Sequence, residues 1–441
     1  MSSVHSKYLQ VYSAKQFKES VNEPIPSNVY LTFGRTTAWP DDAVPPQANT
    51  SINTFYEVWD NMIGAKKVSG NDIRHVIPRF DWTANTVYAA YDDKADSKIL
   101  KSDTSKFYVV TDDWNVYKCI ANNYGANSTS KPTSISTITD VQSEDGYIWK
   151  YMYTVSAEEQ LRFVTSDYIP VKSLTVNDGS LQWQVQNSAI QGGIHSIVLT
   201  NFGSGYTAND ITVSIVGDGQ EATAIAVRNT VSNTVSSIIM TNRGINYTYA
   251  NVTLSSATGS GAIAKPIISP RGGHGSDPLV ELGGSNLLIN TRIKTSENGV
   301  LTVENDYRQV ALIEDPYTYD GTKVMSNTAV DQLMTLTLNG TSAEYIEDEI
   351  VYQGTSLAAA TFSATVVEWD SANNQLKVSN TKGVPSSELV NGITSTASRF
   401  LGSITYPGMR RYTGNLLYID NIIPIERSSD QVEDFKIILK F

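Results

Sequence analysis

Two stretches in the middle of the chain repeat one pattern: residues 196–227, SIVLTNFGSGYTANDITVSIVGDGQEATAIAV, and residues 236–267, SSIIMTNRGINYTYANVTLSSATGSGAIAKPI. Aligned, they pair Thr200 with Thr241, Asn201 with Asn242, Gly203 with Gly244, Tyr206 with Tyr247 and Thr212 with Thr253. With one residue skipped, Ala222 aligns with Ala262 and Ala224 with Ala264. Each copy predicts a strand, a glycine turn with a tyrosine, a strand, a glycine-rich turn and a strand of small residues. Two copies can bury each other's apolar face, so the repeat predicts one β module over residues 189–269.

Length and composition predict several β-rich domains. The chain has 441 residues, of which 40% are hydrophobic and 18% charged, with 29 Gly and 24 Tyr. This length predicts roughly two to four domains. Few charges and many Thr, Ser, Asn and Tyr favour strands over helical bundles. The net charge of −12 argues against a nucleic-acid binder, which needs a basic face.

Cysteine use and hydropathy indicate the compartment. The single cysteine, Cys119, allows no intrachain disulfide, which fits assembly in a reducing compartment. The polar start MSSVHSKYLQ has no apolar core of a signal peptide, and no apolar run approaches membrane-spanning length. We therefore expect a protein made in a cytoplasm, with no membrane insertion.

Helices are predicted at only three places. Residues 6–21 have apolar side chains at roughly helical spacing, and 157–163 predicts a short helical turn. Residues 49–68 are the strongest candidate, because Ser51 can cap the helix and four apolar side chains form one stripe. That stripe, which predicts core packing, consists of Phe55, Val58, Trp59 and Met62.

The remaining chain predicts strands. Residues 29–35 alternate and stop at Gly34, and 107–120 predict a hairpin around a polar turn. Residues 146–155 (GYIWKYMYTV) carry bulk on both faces, as a central strand does. A second β module is predicted over 336–403, containing a hairpin at 364–380 and two similar segments, EIVYQG and ELVNG.

These elements together predict a mostly β, multidomain fold with a minor α content. Its β-sandwich-like core is formed by both termini, with small β modules inserted. The predicted segments are an N-terminal core domain (1–188), the tandem-repeat module (189–269), connecting strands (270–335), the second module (336–403) and returning C-terminal strands (404–441). Residues 182–187 and 270–277 are expected to be the connections into and out of the tandem module.

The sequence offers no convincing catalytic, cofactor or metal site. Four histidines, His5, His75, His195 and His274, are far apart and lack neighbours at metal-ligand spacing. Adjacent acids occur at 41–42, 92–93, 112–113 and 158–159, but such pairs usually cap turns. GGHGSD (272–277) is better explained as a glycine-rich connection than as a Ser-His-Asp triad, and Cys119 is expected to be buried. Tyr147, Trp149, Tyr151 and Tyr153 form either a sugar platform or, as we favour, sheet packing.

Several long stretches of this sequence together resemble one known family of proteins. They begin with SKYLQVYSAKQFKES from Ser6, YLTFGRTTAWPDD from Tyr30 and YEVWDNMIGAKKVSGNDIRHVIPRFDW from Tyr56. They continue with VYAAYDD from Val87, FYVVTDDWNVYKCIANNYGANSTSKPT from Phe107, EDGYIWKYMYTV from Glu144 and DYIPV from Asp167. The tail from Leu416, with YIDNIIPI, is also similar. These stretches resemble the baseplate wedge proteins of contractile-tailed, T-even-like phages, in particular the wedge subunit eight family in its long marine and cyanobacterial versions. The resemblance covers about the first 175 residues and the last 30, and the middle of the chain departs from shorter members.

The resemblance implies a non-enzymatic building block in the virion tail baseplate, assembled in the host cytoplasm. It further implies homodimers within each wedge that bind neighbouring wedge proteins while the baseplate rearranges at host attachment. If the contacts use exposed aromatic side chains, Tyr247, Tyr249 and Trp369 are the candidates, with local packing as the alternative. Two rival functions are a receptor- or glycan-binding tail protein and a tail-associated hydrolase.

Overall fold

The computed structural model describes residues 6–94, 105–303 and 305–441, and these residues are mostly β, with several sheets. The helices are α1 (Lys7–Ser20), α2 (Ile52–Asn61), α3 (Ala157–Phe163), α4 (Leu181–Asn187) and α5 (Pro278–Glu281). The strands are β1 (Val29–Gly34), β2 (Met62–Lys67), β3 (Ile73–Pro78), β4 (Tyr108–Val110), β5 (Asn115–Asn122), β6 (Val141–Gln142), β7 (Tyr147–Thr154), β8 (Tyr168–Pro170), β9 (Ile194–Ser204), β10 (Thr212–Gly217), β11 (Thr223–Asn229), β12 (Thr234–Asn242), β13 (Ala250–Ser255), β14 (Ser260–Ile268), β15 (Asn286–Lys294), β16 (Asp306–Glu314), β17 (Ala329–Asp331), β18 (Met334–Asn339), β19 (Ile350–Gln353), β20 (Phe362–Asp370), β21 (Gln375–Gly383), β22 (Leu389–Gly392), β23 (Ser398–Thr405), β24 (Asn415–Glu426) and β25 (Val432–Lys440). None of the described helices combines the length and apolarity needed to span a lipid bilayer.

The chain forms two compact units from alternating segments. Unit 1 consists of Met1–Gln16, Arg74–Leu288 and Ile438–Phe441. Unit 2 consists of Phe17–Ile73 and Ile289–Ile437. The segment boundaries expected from the sequence remain a prediction.

Unit 1 contains a four-stranded sheet, ordered β4-β5-β7-β6, that is buried on both faces. Tyr147, Trp149 and Tyr151 of β7 belong to one apolar cluster, whereas Met152 and Tyr153 belong to another. All four aromatic residues of β7 are at most 3% exposed, which favours sheet packing over the sugar platform. The predicted hairpin is confirmed, because β4 pairs with β5 around the polar turn.

The tandem repeat folds as one module with internal two-fold pseudosymmetry. Its sheets, β10-β13-β14-β9 and β11-β12, enclose one apolar core. β10 and β13, the middle strands of the two copies, pair with each other, with Thr212 opposite Ser255 and Ser214 opposite Thr253. The outer pairs repeat the same register shift, since Ala264 lies opposite Leu199 and Ala224 lies opposite Met240. Each copy therefore completes its outer strand pair with a strand of the other copy.

One tyrosine from each copy supports a glycine turn of the other copy. Tyr206 of the first copy accepts a hydrogen bond from the Ala262 backbone at 3.3 Å, and Tyr247 accepts one from Ala222 at 3.4 Å. A β-carbon at Gly259 would lie 2.5 Å from the ring of Tyr206, and one at Gly219 would lie 2.4 Å from that of Tyr247. Only glycine admits such close ring packing at these two turns, which explains why Gly and Tyr are repeated together.

Unit 2 contains a five-stranded sheet, ordered β17-β2-β1-β16-β24, and a closed six-stranded barrel. In the sheet, β1 pairs antiparallel with both β2 and β16, and α2 packs Val58 and Trp59 onto it. The barrel runs β18-β21-β20-β19-β22-β23 around an apolar interior. The two similar segments noted in the sequence are its neighbouring strands β19 and β22.

Two local predictions need correction. The helix expected within 49–68 begins as predicted, with the Ser51 hydroxyl accepting from the Thr54 backbone at 3.2 Å, but it ends at Asn61. Met62 is already the first residue of β2, because the chain there joins the sheet beside β1. Residues 182–187, expected to be a connection, lie in α4, which Ser180 caps by accepting from Trp183.

Candidate functional site

A cleft of about 490 Å³ in unit 1 lies between the tandem module and the end of β5. Residues of β9 and β12 line this cleft, together with residues of the turn that follows β5. Tyr124, Phe202 and Ile239 are each between 43% and 47% exposed at this place, and the rings of Tyr124 and Phe202 pack edge to face. Half-exposed aromatic and aliphatic side chains beside a concave surface are typical of binding sites.

A buried charged network lines the inner end of the cleft. Asp140 accepts a hydrogen bond from His195 Nδ1 at 2.5 Å and forms an ion pair with Arg243 Nη2 at 3.1 Å, and its side chain is only 4% exposed. Burial lowers the pKa of His195, and the hydrogen bond from His195 helps hold the pKa of Asp140 below its usual range. The pair is therefore a neutral histidine donating to a carboxylate, which fixes β9 to the segment before β6.

A second buried ion pair joins β5 to α5. Lys118 of β5 and Glu281 of α5 are joined at 2.7 Å, with side chains 0% and 3% exposed. Glu281 also accepts from the backbone of Gly275 at 2.8 Å and of Asp277 at 3.2 Å. This pair thus ties the GGHGSD loop and α5 to the central sheet.

His274 of that loop is fully buried beside these charges. Its ring packs edge-on against Tyr91, with centroids 4.8 Å apart, and against His195, with centroids 4.6 Å apart. Neither ring nitrogen has a hydrogen-bond partner among the described residues. Burial, with Lys118 and other cations nearby, holds the pKa of His274 well below its usual range. His274 is therefore neutral in the folded protein.

This network lacks the parts of a nucleophilic catalytic site. Nε2 of His195 has no hydroxyl or thiol partner within the part of the chain that the structure describes. Ser276 donates to the Arg271 backbone, and Asp277 caps α5 by accepting from Val280, so GGHGSD forms no triad. The buried Cys119 has a raised pKa, which disfavours its reactive thiolate.

At least one member of each acid pair has a structural partner, and no metal cluster is formed by the described residues. Asp42 pairs with Arg308, Asp92 with Lys265, Asp112 and Asp113 with Lys131, and Glu159 with Lys172. Over residues 6–94, 105–303 and 305–441, no group of three His, Cys, Asp or Glu side chains is placed to hold an ion. His5 lies outside these residues.

The three predicted interface residues have different environments. Tyr247 is 4% exposed in the core of the tandem module, so the alternative of local packing describes it. Its burial follows from its contact with Gly219, which the sequence pattern did not reveal. Tyr249 is 60% exposed and remains a candidate. Trp369 is half-buried, with its ring edge-on to Tyr345 at 5.1 Å, and it lines a cavity in unit 2.

We expect mild acid to destabilise unit 1 through His274. Its pKa is lowered in the folded state, so below about pH 6.5 the unfolded chain binds the extra proton and stability falls as pH decreases. The slope from this group reaches about 1.4 kcal/mol per pH unit. The measurement is urea unfolding at pH 8 and pH 5.5, followed by hydrogen exchange in β5 and β7.

His274→Phe keeps the ring packing and removes the titrating nitrogens, so the difference between the two pH values should shrink in this variant. Equal acid sensitivity in the variant and the parent would contradict the assignment.

Comparison with known proteins bears on the N-terminal part of the chain, from α1 to β6. The model of the family described as "Bacteriophage T4, Gp8" (Phage-Gp8) aligns with this part. Residues 2–143 match the phage Gp8 family. The resemblance expected from the sequence is confirmed over these residues.

A curated relative agrees with this match. The chain is 23% identical over 186 residues to the protein named "Baseplate wedge protein gp8" of Enterobacteria phage T4. The alignment covers 34% of this chain and 54% of the relative, so the chain spans about half the length of the curated relative that it matches. The tandem module and the barrel lie outside the residues that match the Gp8 family.

Proposed function

We propose that this chain is a structural component of a contractile-tail baseplate wedge, located in the virion tail and without catalytic activity. The observation that carries the proposal is the match of residues 2–143 to the Gp8 family, together with the similarity to the T4 baseplate wedge protein. The architecture supports a binding role, because the half-exposed aromatic ring of Tyr124 lines the cleft beside the tandem module.

We further propose that the protein forms a homodimer, is assembled in the host cytoplasm, and binds neighbouring wedge proteins before and during host attachment. Its two β modules would act as additional contact domains on a core shared with the Gp8 family. The cleft beside the tandem module supports this, since Tyr124 and Ile239 line it with half-exposed side chains and Phe202 packs on Tyr124.

Light scattering during size-exclusion chromatography tests the oligomeric state. We expect a mass of twice 48.3 kDa that returns to the single-chain mass in an unheated detergent gel. A detergent-resistant trimer would contradict the wedge assignment and favour a fibre-like receptor binder.

Co-expression with the other wedge proteins of the same genome tests the assembly role. We expect a stable complex that contains this chain in fixed stoichiometry. A chain that never enters such complexes would refute the proposal, whatever its oligomeric state.

A further inference from the structure

Unit 2 contains an acidic groove composed of two neighbouring cavities of about 360 Å³ and 510 Å³ that share Glu347 and Val367. The groove lies between the barrel and the ends of β16 and β24. Six carboxylates line it: Asp306, Glu347, Asp348, Glu368, Asp370 and Glu426.

Few cations balance these carboxylates. Lys377 also lines the groove and pairs with Glu368 at 2.9 Å, and Arg308 reaches Asp306 at 2.8 Å while it also pairs with Asp42. Within the described residues, the carboxylates of Asp348 and Glu426 have no ion-pair partner. Burial, with the charge of Asp348 nearby, raises the pKa of Asp306. The negative charges therefore repel one another, and a bound cationic group would relieve this repulsion.

The buried side-chain amide of Asn305, in the same groove, points to a ligand that contains a peptide group. Asn305 is only 8% exposed, and both its Nδ2 and Oδ1 lack hydrogen-bond partners among the described residues. A buried polar group without a hydrogen-bond partner destabilises the free protein, so a ligand that supplies the partner gains binding free energy. A peptide unit offers one donor and one acceptor, which is the complement of an asparagine side chain.

The remaining walls of the groove favour a chain over a bare ion. Trp369 lines the larger cavity, and its Nε1–H donates to Glu344. Val303 and Pro424, which are partly exposed, add apolar surface. An aromatic ring near carboxylates suits the aliphatic stem and charged head of lysine or arginine. No three carboxylates of the described residues converge closely enough to hold a metal ion.

We propose that the acidic groove binds an extended, lysine- or arginine-bearing segment of a partner protein. In this complex Asp348 and Glu426 pair with the cationic side chains, and Asn305 hydrogen-bonds a main-chain amide of the segment. This inference rests on the proposed function in that it names the chemistry of one neighbouring subunit in the wedge.

Fluorescence anisotropy of a labelled peptide of alternating lysine and alanine, about twelve residues long, tests the groove on the isolated full-length protein. The variant Asp348→Asn/Glu426→Gln should weaken binding at least about tenfold, with loss of most of its salt dependence. The matched control Glu23→Gln/Glu388→Gln changes the net charge equally at exposed carboxylates outside the groove and should alter binding less than about twofold. Asn305→Ala should weaken the binding that remains at high salt.

Several results would overturn the inference. They are equal binding by the groove variant and the parent, equal binding of a glutamate-alanine peptide, or no binding of the lysine peptide. Displacement of the peptide by low millimolar Mg²⁺ would assign the groove to a metal ion instead. Because this assay uses the isolated protein, its failure is separate from a failure to co-assemble with wedge proteins.

Discussion

Lys118→Met is expected to destabilise unit 1 by about 3–5 kcal/mol, because it leaves the buried charge of Glu281 without its cation. The loss also affects the backbone contacts that Glu281 makes to Gly275 and Asp277. The measurement is urea unfolding of the full chain, followed by hydrogen exchange of peptides from β5, β7 and α5.

The chain supplies a matched control for this change. Lys131 pairs with Asp112 at 2.6 Å and with Asp113 at 3.3 Å, but those carboxylates are 76% and 61% exposed. Lys131→Met should therefore have a much smaller effect on stability than Lys118→Met. Lys118→Met/Glu281→Gln should recover part of the loss, since no unpaired charge remains. Similar costs for the two single variants would show that burial does not govern the Lys118 pair.

Tyr206→Ala is expected to cost about 3–5 kcal/mol and to loosen both copies of the tandem module together. Tyr206 is 1% exposed, packs over Gly259 and accepts from Ala262, both of which belong to the second copy. The resulting cavity should therefore affect β14 as strongly as the strands around Tyr206 itself. Hydrogen exchange measured by mass spectrometry distinguishes peptides of the two copies and so measures the loss of amide protection in each.

Two further variants separate the contribution of the Tyr206 ring from that of its hydroxyl group and from that of a tyrosine on the surface. Tyr206→Phe keeps the ring and loses one hydrogen bond, so a cost of about 1 kcal/mol is expected. Tyr249→Ala removes a tyrosine that is 60% exposed in the same module and should change stability by less than about 0.5 kcal/mol. Loss of protection confined to the first copy in Tyr206→Ala would disprove the mutual support of the copies.

The helices and strands could largely be predicted from the sequence, because the patterns that indicate them involve residues close together in the chain. The periodicity of 6–21, the polar turn of the β4–β5 hairpin and the double-sided bulk of β7 each predict the observed element. The end of α2 was missed because Met62 continues the apolar stripe of the helix while its backbone joins the sheet beside β1. Closure of the barrel depends on the pairing of β18 with β23, which lie far apart in sequence and carry no local signal.

The candidate sites could be predicted from the sequence to a much smaller extent. Asp140 and His195 are 55 positions apart, and Lys118 and Glu281 are 163 apart, so no motif joins them. The acidic groove likewise collects Asp306, Asp348 and Glu426 from separate strands and loops. The overall charge of −12 indicated an acidic protein but not where its charge accumulates. Trp369 was predicted from its aromatic character alone, and the structure supplies its surroundings.

The tandem module begins and ends at the same place, since the backbone of Ser269 donates to that of Gly193 at 2.9 Å. A gene could therefore gain or lose the whole segment between these residues while the flanking sheet keeps its connectivity. Loss of a single copy would have a different outcome, because the surviving half would keep a glycine turn whose supporting tyrosine was encoded in the deleted half. Both copies of the repeat should therefore be inserted or deleted together. Related chains should differ in length at this place by the whole tandem module and not by one copy.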